Sequence, residues 1–131
     1  MKKEMNKGFS LVELIIVIAI MVVLVGMLAP QYLRFVNNSK VSTDIANGQE
    51  LANAFNAAFA EEKVTTSDHP TGNGGDTMSW SGVSIPRWPE GKSSASNCPW
   101  DITLSANGVD KITCNGVEVW PNPSAYERFN K

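Results

Sequence analysis

Hydropathy changes regime twice along this chain. After a short basic start, positions Leu14 to Pro30 are apolar without interruption. The stretch from Leu11 to Pro30 is 20 residues long. At about 1.5 Å of rise per residue, a helix of that length spans roughly the 30 Å hydrocarbon core of a bilayer. Lys2, Lys3 and Lys7 lie on its N-terminal side against a single Glu4, so the positive-inside rule keeps the N-terminus cytoplasmic and the bulk outside. Beyond Pro30 the pattern becomes amphipathic. Val41, Ile45, Gly48, Ala52, Phe55 and Phe59 recur at helical spacing, while Asn37, Asn38, Lys40, Asp44, Asn47, Glu50, Asn53 and Glu61 supply the polar remainder. The spacing predicts one long helix from about residue 9 to 62, with its apolar stripe packed under a sheet. Gly26 and Pro30 mark a helix break, because proline removes a backbone donor and crowds the preceding turn.

From Val64 to Ser79 the composition shifts to Thr, Ser, Gly, Asp and Asn, which reads as a loop. His69 with Asp68 and Asp76 matches no metal-ligand spacing there, and a solvated turn is expected. Strands are expected over 78–85, 100–105, 109–114 and 117–120, with Asn107-Gly108 and Asn115-Gly116 as hairpin turns. Pro86, Pro89, Pro99, Pro121 and Pro123 fence these strands. So small a sheet cannot enclose its own core and needs the helix stripe as its second layer. The fold class is therefore α+β: a long N-terminal α-helix, part transmembrane and part amphipathic, packed on a small antiparallel β-sheet.

With Ala106–Gly108 as a three-residue loop, Ile102 faces Ile112 and Trp100 faces Cys114. Cys98 is then the diagonal neighbour of Cys114 on the same face. A Cys98–Cys114 disulfide is geometrically reasonable, and two reduced core cysteines are the other reading.

The segment Lys7-Gly8-Phe9-Ser10-Leu11-Val12-Glu13, running into the apolar stretch, carries the most specific signal. A basic leader ends in glycine, an aromatic opens the apolar run, and one carboxylate sits inside it. A carboxylate at membrane depth needs a partner. An ordinary secretory signal would have a shorter apolar region and a small-x-small cleavage site, which Met27, Ala29 and Pro30 do not provide. A plain membrane anchor would require neither the glutamate nor the proline.

These residues resemble type IV pilin-like proteins: type IVa pilins, and the pseudopilins of type II secretion. The resemblance implies cleavage by a prepilin peptidase between Gly8 and Phe9, and N-methylation of Phe9. It implies that Glu13 pairs with the N-terminal amine of a neighbouring subunit, and Pro30 falls on the family's proline. The chain then divides into a leader (1–8), a transmembrane and assembly helix (9–30) and an extracytoplasmic headgroup (31–131). Implied partners are further copies in a helical homopolymer, the peptidase, and an inner-membrane platform with its ATPase. The precursor would sit in the inner membrane and the fibre outside the cell. Family members often carry a C-terminal disulfide loop.

Charge narrows the remaining classes. Removing the leader takes three lysines and Glu4 and leaves 8 basic and 12 acidic residues, a net −4. That balance gives no support to nucleic-acid binding through a basic field. One histidine, no nucleophile elbow, no phosphate loop and no zinc pattern argue against an enzyme, and no cofactor is expected. A polymerising pilus subunit is the leading reading. The alternative is a major pseudopilin of type II secretion, whose usual C-terminal calcium loop is not evident because Trp120–Lys131 offers only Glu127. Tyr32 and Phe35 read as aromatics at the membrane edge that contribute subunit packing.

Overall fold

A computed structural model describes residues 8–93 and 98–130; the leader up to Lys7 therefore lies outside the described residues. The elements in chain order are α1 (Leu11–Ala60), β1 (Thr71–Gly72), β2 (Trp100–Ser105), β3 (Gly108–Cys114), β4 (Val117–Trp120) and α2 (Ser124–Asn130). The chain forms two compact units, one reaching to Phe35 and the other starting at Val36. Helix α1 contributes to both.

In the first unit, α1 stays helical through Gly26 and Pro30. Proline forfeits a single bond, the one its missing N–H would donate to the Gly26 carbonyl four residues back, and the helix continues on either side.

In the second unit, α1 ends close to where the pattern predicted. Lys63 N–H donates to the Ala58 carbonyl and Glu62 N–H to the Phe59 carbonyl, both at 3.0 Å. Glu62 takes the left-handed conformation, φ 59°, which closes a Schellman cap on a residue other than the usual glycine.

The four described strands form one antiparallel sheet in the order β1-β2-β3-β4. Trp100 faces Cys114 and Ile102 faces Ile112, as expected. The register then slips by one between Thr103 and Leu104, so that Ser105 faces Gly108. The connection is thus a two-residue turn, and a bulge absorbs the residue that a three-residue loop would have held. Asn115-Gly116, at φ 54° and 80°, closes the next hairpin as a type I′ turn.

Two expectations fail. Residues 78–85 form no strand; an isolated bridge pairs Thr77 with Arg87, and Gly82 at φ +84° and Pro86 interrupt an extended run. Met78, Trp80, Val83 and Ile85 still turn inward onto the core. The strand that joins β2 instead comes from Thr71–Gly72, inside the segment read as a loop. Helix α2 was not anticipated. Pro123 accepts its first backbone bond from Glu127, and the Asn122 side chain accepts from the N–H and O–H of Ser124.

The core lies between α1 and the inward face of the sheet, where Trp100, Ile102, Ile112 and Val119 meet Leu51, Phe55 and Ala58. Phe55 and Trp88 stack with centroids 5.8 Å apart. A Cβ on Gly48 would stand 2.6 Å from Val119 Cγ1, so glycine here permits close approach of helix and sheet. The buried stripe of α1 runs Val41, Asp44, Gly48, Leu51, Phe55 and Ala58. Ala52 and Ala54 are buried as well, so four of the six expected stripe positions, Val41, Gly48, Ala52 and Phe55, are buried, and only Ile45 and Phe59 are half-buried.

Candidate assembly segment and headgroup network

Residues 8–35 hold nearly all the unsatisfied apolar surface. Among the described residues, every exposed large hydrophobic lies between Phe9 and Phe35, and Phe9 itself is 82% exposed. Helix α1 is long and apolar enough to cross a membrane. Glu13 is the sole charged residue from Phe9 to Leu33.

Local chemistry fixes the start of this helix. Ser10 N–H donates to Glu13 Oε2 at 2.7 Å, and Glu13 N–H donates to Ser10 Oγ at 3.2 Å. This reciprocal pair is a capping box, which satisfies two otherwise orphaned amides and sets an acidic group in the positive first turn. The spacing Ser-x-x-Glu is the local sequence signature of this cap, so Ser10 is legible from the sequence beside Glu13. Phe9, Glu13, Leu14, Ile16 and Val17 line one groove, so the carboxylate and the aromatic that opens the apolar run share a face. Gly8 precedes them, with nothing within 4 Å of where a Cβ would stand.

In the second unit, Cys98 and Cys114 are joined in a disulfide with Cα atoms 5.4 Å apart. Both are fully buried. His69 Nδ1 lies 3.6 Å from Asp101 Oδ1 on the surface. Asp68 and Asp76 turn instead to the amides of Thr65 and Asn73. Among the described residues no group of three or more His, Cys, Asp or Glu side chains could hold a metal ion.

A polar network was missed altogether. Asp44, which the sequence pattern places in the polar remainder of the helix, is 0% exposed. Its Oδ1 accepts the Lys92 N–H at 2.6 Å. Its Oδ2 accepts the Ser93 N–H at 3.0 Å, the Tyr126 O–H at 2.6 Å, and the Ser93 hydroxyl. Ser93 Oγ and Tyr126 Oη are 2.7 Å apart. Burial first, and then the bond to Asp44, push the Tyr126 hydroxyl well above the ordinary tyrosine range. A carboxyl group can be buried because its donors come with it. No local pattern signals this, since all four donors lie 48 or more residues away.

Residues 5–29 match the model of the prokaryotic N-terminal methylation motif. Two type IV major fimbrial proteins FimA from Dichelobacter nodosus are each 33% identical to this chain over 61 residues, 47% of its length. The chain is type IV pilin-like. The match covers 39% and 38% of the two relatives, so this type IV pilin-like chain spans about two fifths of the curated relatives it matches. No solved structure matches it. In this type IV pilin-like chain, Gly8, Phe9 and Glu13 converge at the start of α1, whereas Gly26 and Pro30 lie within the same helix and the two cysteines in the headgroup.

Proposed function

We propose that the chain is a non-enzymatic structural subunit that polymerises through residues 9–30 into a type IV pilus. The carrying observation is Glu13, the lone carboxylate in an otherwise apolar and fully exposed helical segment. In this reading the precursor sits in the inner membrane with its N-terminus in the cytoplasm. A prepilin peptidase cuts between Gly8 and Phe9 and methylates Phe9. Cleavage creates a cation where the chain is most apolar, and Glu13 of a neighbouring subunit supplies the anion. Either charge alone would be buried unpaired at a cost of several kcal/mol, so the pair sets the register of the fibre. Ser10 supports this role by holding the Glu13 carboxyl group at the helix start. Extraction from the membrane is tolerable because apolar surface passes from lipid to neighbouring helices. An assembly platform and ATPase would drive it. Gly26 and Pro30 are the proposed weak point at which α1 breaks on packing into the fibre, and residues 31–131 form the extracytoplasmic headgroup.

The matched relatives are fimbrial proteins by name, which favours a surface pilus over the periplasmic fibre of a type II secretion pseudopilin. Electron microscopy of sheared surface fibres, with mass spectrometry of their subunit, tests both points. The expected subunit begins at N-methylated Phe9. An intact Met1 leader in the fibre subunit would refute the processing, and fibres lacking this chain would refute the pilus.

A further inference from the structure

The donors around Asp44 are not scattered over the headgroup. Lys92 and Ser93 stand just before Cys98 in the chain, and Tyr126 Oη lies 3.6 Å from Cys114 Sγ. Gly91, next to Lys92, packs so closely on Cys98 that a Cβ built there would collide with the cysteine side chain. One carboxyl group on α1 therefore grips the approach to one cysteine and the tyrosine beside the other. Asp44, Gly91, Ser93, Tyr126 and both cysteines are buried or partly buried in the same unit, while Lys92 is exposed and contributes its backbone N–H.

We propose that Asp44 is a positioning residue for the oxidation of Cys98 and Cys114. In the reduced chain the thiols belong to separate segments, and closing the loop between them costs conformational entropy. Docking Lys92–Ser93 and Tyr126 on Asp44 meets part of that cost before the sulfurs react, and so raises the effective concentration of one thiol at the other. The chemistry is thiol–disulfide exchange with a small disulfide oxidant. One cysteine thiolate attacks the oxidant, forms a mixed disulfide and releases one oxidant thiolate. The second cysteine thiolate then attacks the protein sulfur of the mixed disulfide and expels the other. The protein loses two electrons to the oxidant and two protons to solvent. Linkage requires the converse as well: the closed disulfide strengthens docking on Asp44 by the same factor. The proposal is independent of whether the chain polymerises.

The experiment uses the full chain, reduced in detergent micelles and equilibrated in mixtures of reduced and oxidised glutathione. The disulfide fraction is read by alkylation and mass spectrometry. Tyr126→Phe keeps the ring and deletes one bond to Asp44; Ser93→Ala deletes another, and Asp44→Asn perturbs the whole network. The matched control is Asn56→Ala. Asn56 Oδ1 accepts the Val109 N–H at 2.8 Å, likewise tying α1 to the C-terminal part. It sits 12 positions beyond Asp44 on α1, roughly 18 Å along the helix. Tyr126→Phe should shift the exchange equilibrium toward the dithiol by about tenfold, as for groups sharing one network, and Asn56→Ala by less than about twofold. An unchanged equilibrium in both Tyr126→Phe and Ser93→Ala would overturn the proposal, as would an equal shift in Asn56→Ala. The second outcome would mean that disulfide formation follows overall stability alone. If Asp44→Asn fails to fold, the two hydroxyl variants still decide.

Discussion

The two halves of α1 share a backbone and differ in what completes them. From Leu11 to Phe35 the helix buries no side chain within the chain, although its residues are the most apolar present. From Val41 to Ala58 it buries a narrow stripe that includes a glycine and an aspartate. The more hydrophobic half is thus the one left open. Apolar surface on that scale is stable only against lipid or other helices, and under the proposed function the first half finds both outside the chain. The second half is built for a sheet inside it. There a small residue and a satisfied carboxyl group do more than bulk hydrophobicity, because close packing and paired polar groups decide which arrangement fits.

The sharpest way to break this contrast is at Glu13. Glu13→Leu should leave membrane insertion and leader removal intact and abolish fibres, scored by immunoblot of processed subunit and by microscopy. Normal piliation would show that the first half needs no charge pairing. Next come the two glycines of α1. At Gly48 a Cβ meets Val119 at 2.6 Å, whereas at Gly26 nothing stands within 4 Å. Overpacking at Gly48→Ala should cost about 1–3 kcal/mol, which outweighs the gain in helix propensity of about 1 kcal/mol. Gly26→Ala should leave headgroup stability unchanged. Thermal melts of the full chain in detergent, followed by circular dichroism, separate these outcomes; equal melting temperatures would erase the distinction between the halves.

The smallest expected effect is alkaline. Because the folded state holds the Tyr126 proton above the ordinary range, the unfolded chain releases it first as pH rises. Stability is then unaffected by this group below about pH 10 and declines above it. Tyr126→Phe should remove that component of the alkaline slope in urea titrations. An identical slope in the variant would mean that the hydroxyl is not held as described.

Legibility differed in the same way between the halves. The capping box, the apolar run and the hairpin turn at Asn115-Gly116 are local signals, readable within a few residues, whereas the turn expected at Asn107-Gly108 falls one residue earlier, on Ala106-Asn107. Even there the Thr103/Leu104 bulge has no local signature, since a register slip depends on how two strands settle together. The segment 78–85 had the composition of a strand, yet Gly82 and Pro86 yielded a loop that still delivers Trp80 and Ile85 to the core. The short strand Thr71–Gly72 has no strand composition at all; it exists because β2 offers it an edge.

What the sequence determined by itself was the motif from Gly8 to Glu13, the helix with its unpartnered apolar half, and the α+β class. Each rests on periodicity or on neighbours close along the chain. The tertiary structure alone decided that Asp44 is interior and Ile45 only half so, a shift of one position, or about 100° around the helix. Both residues suit a helix equally well to a local reading. The difference lies in donors from Lys92, Ser93 and Tyr126, far along the chain, which make burial of a carboxyl group favourable only once the fold has brought them to it.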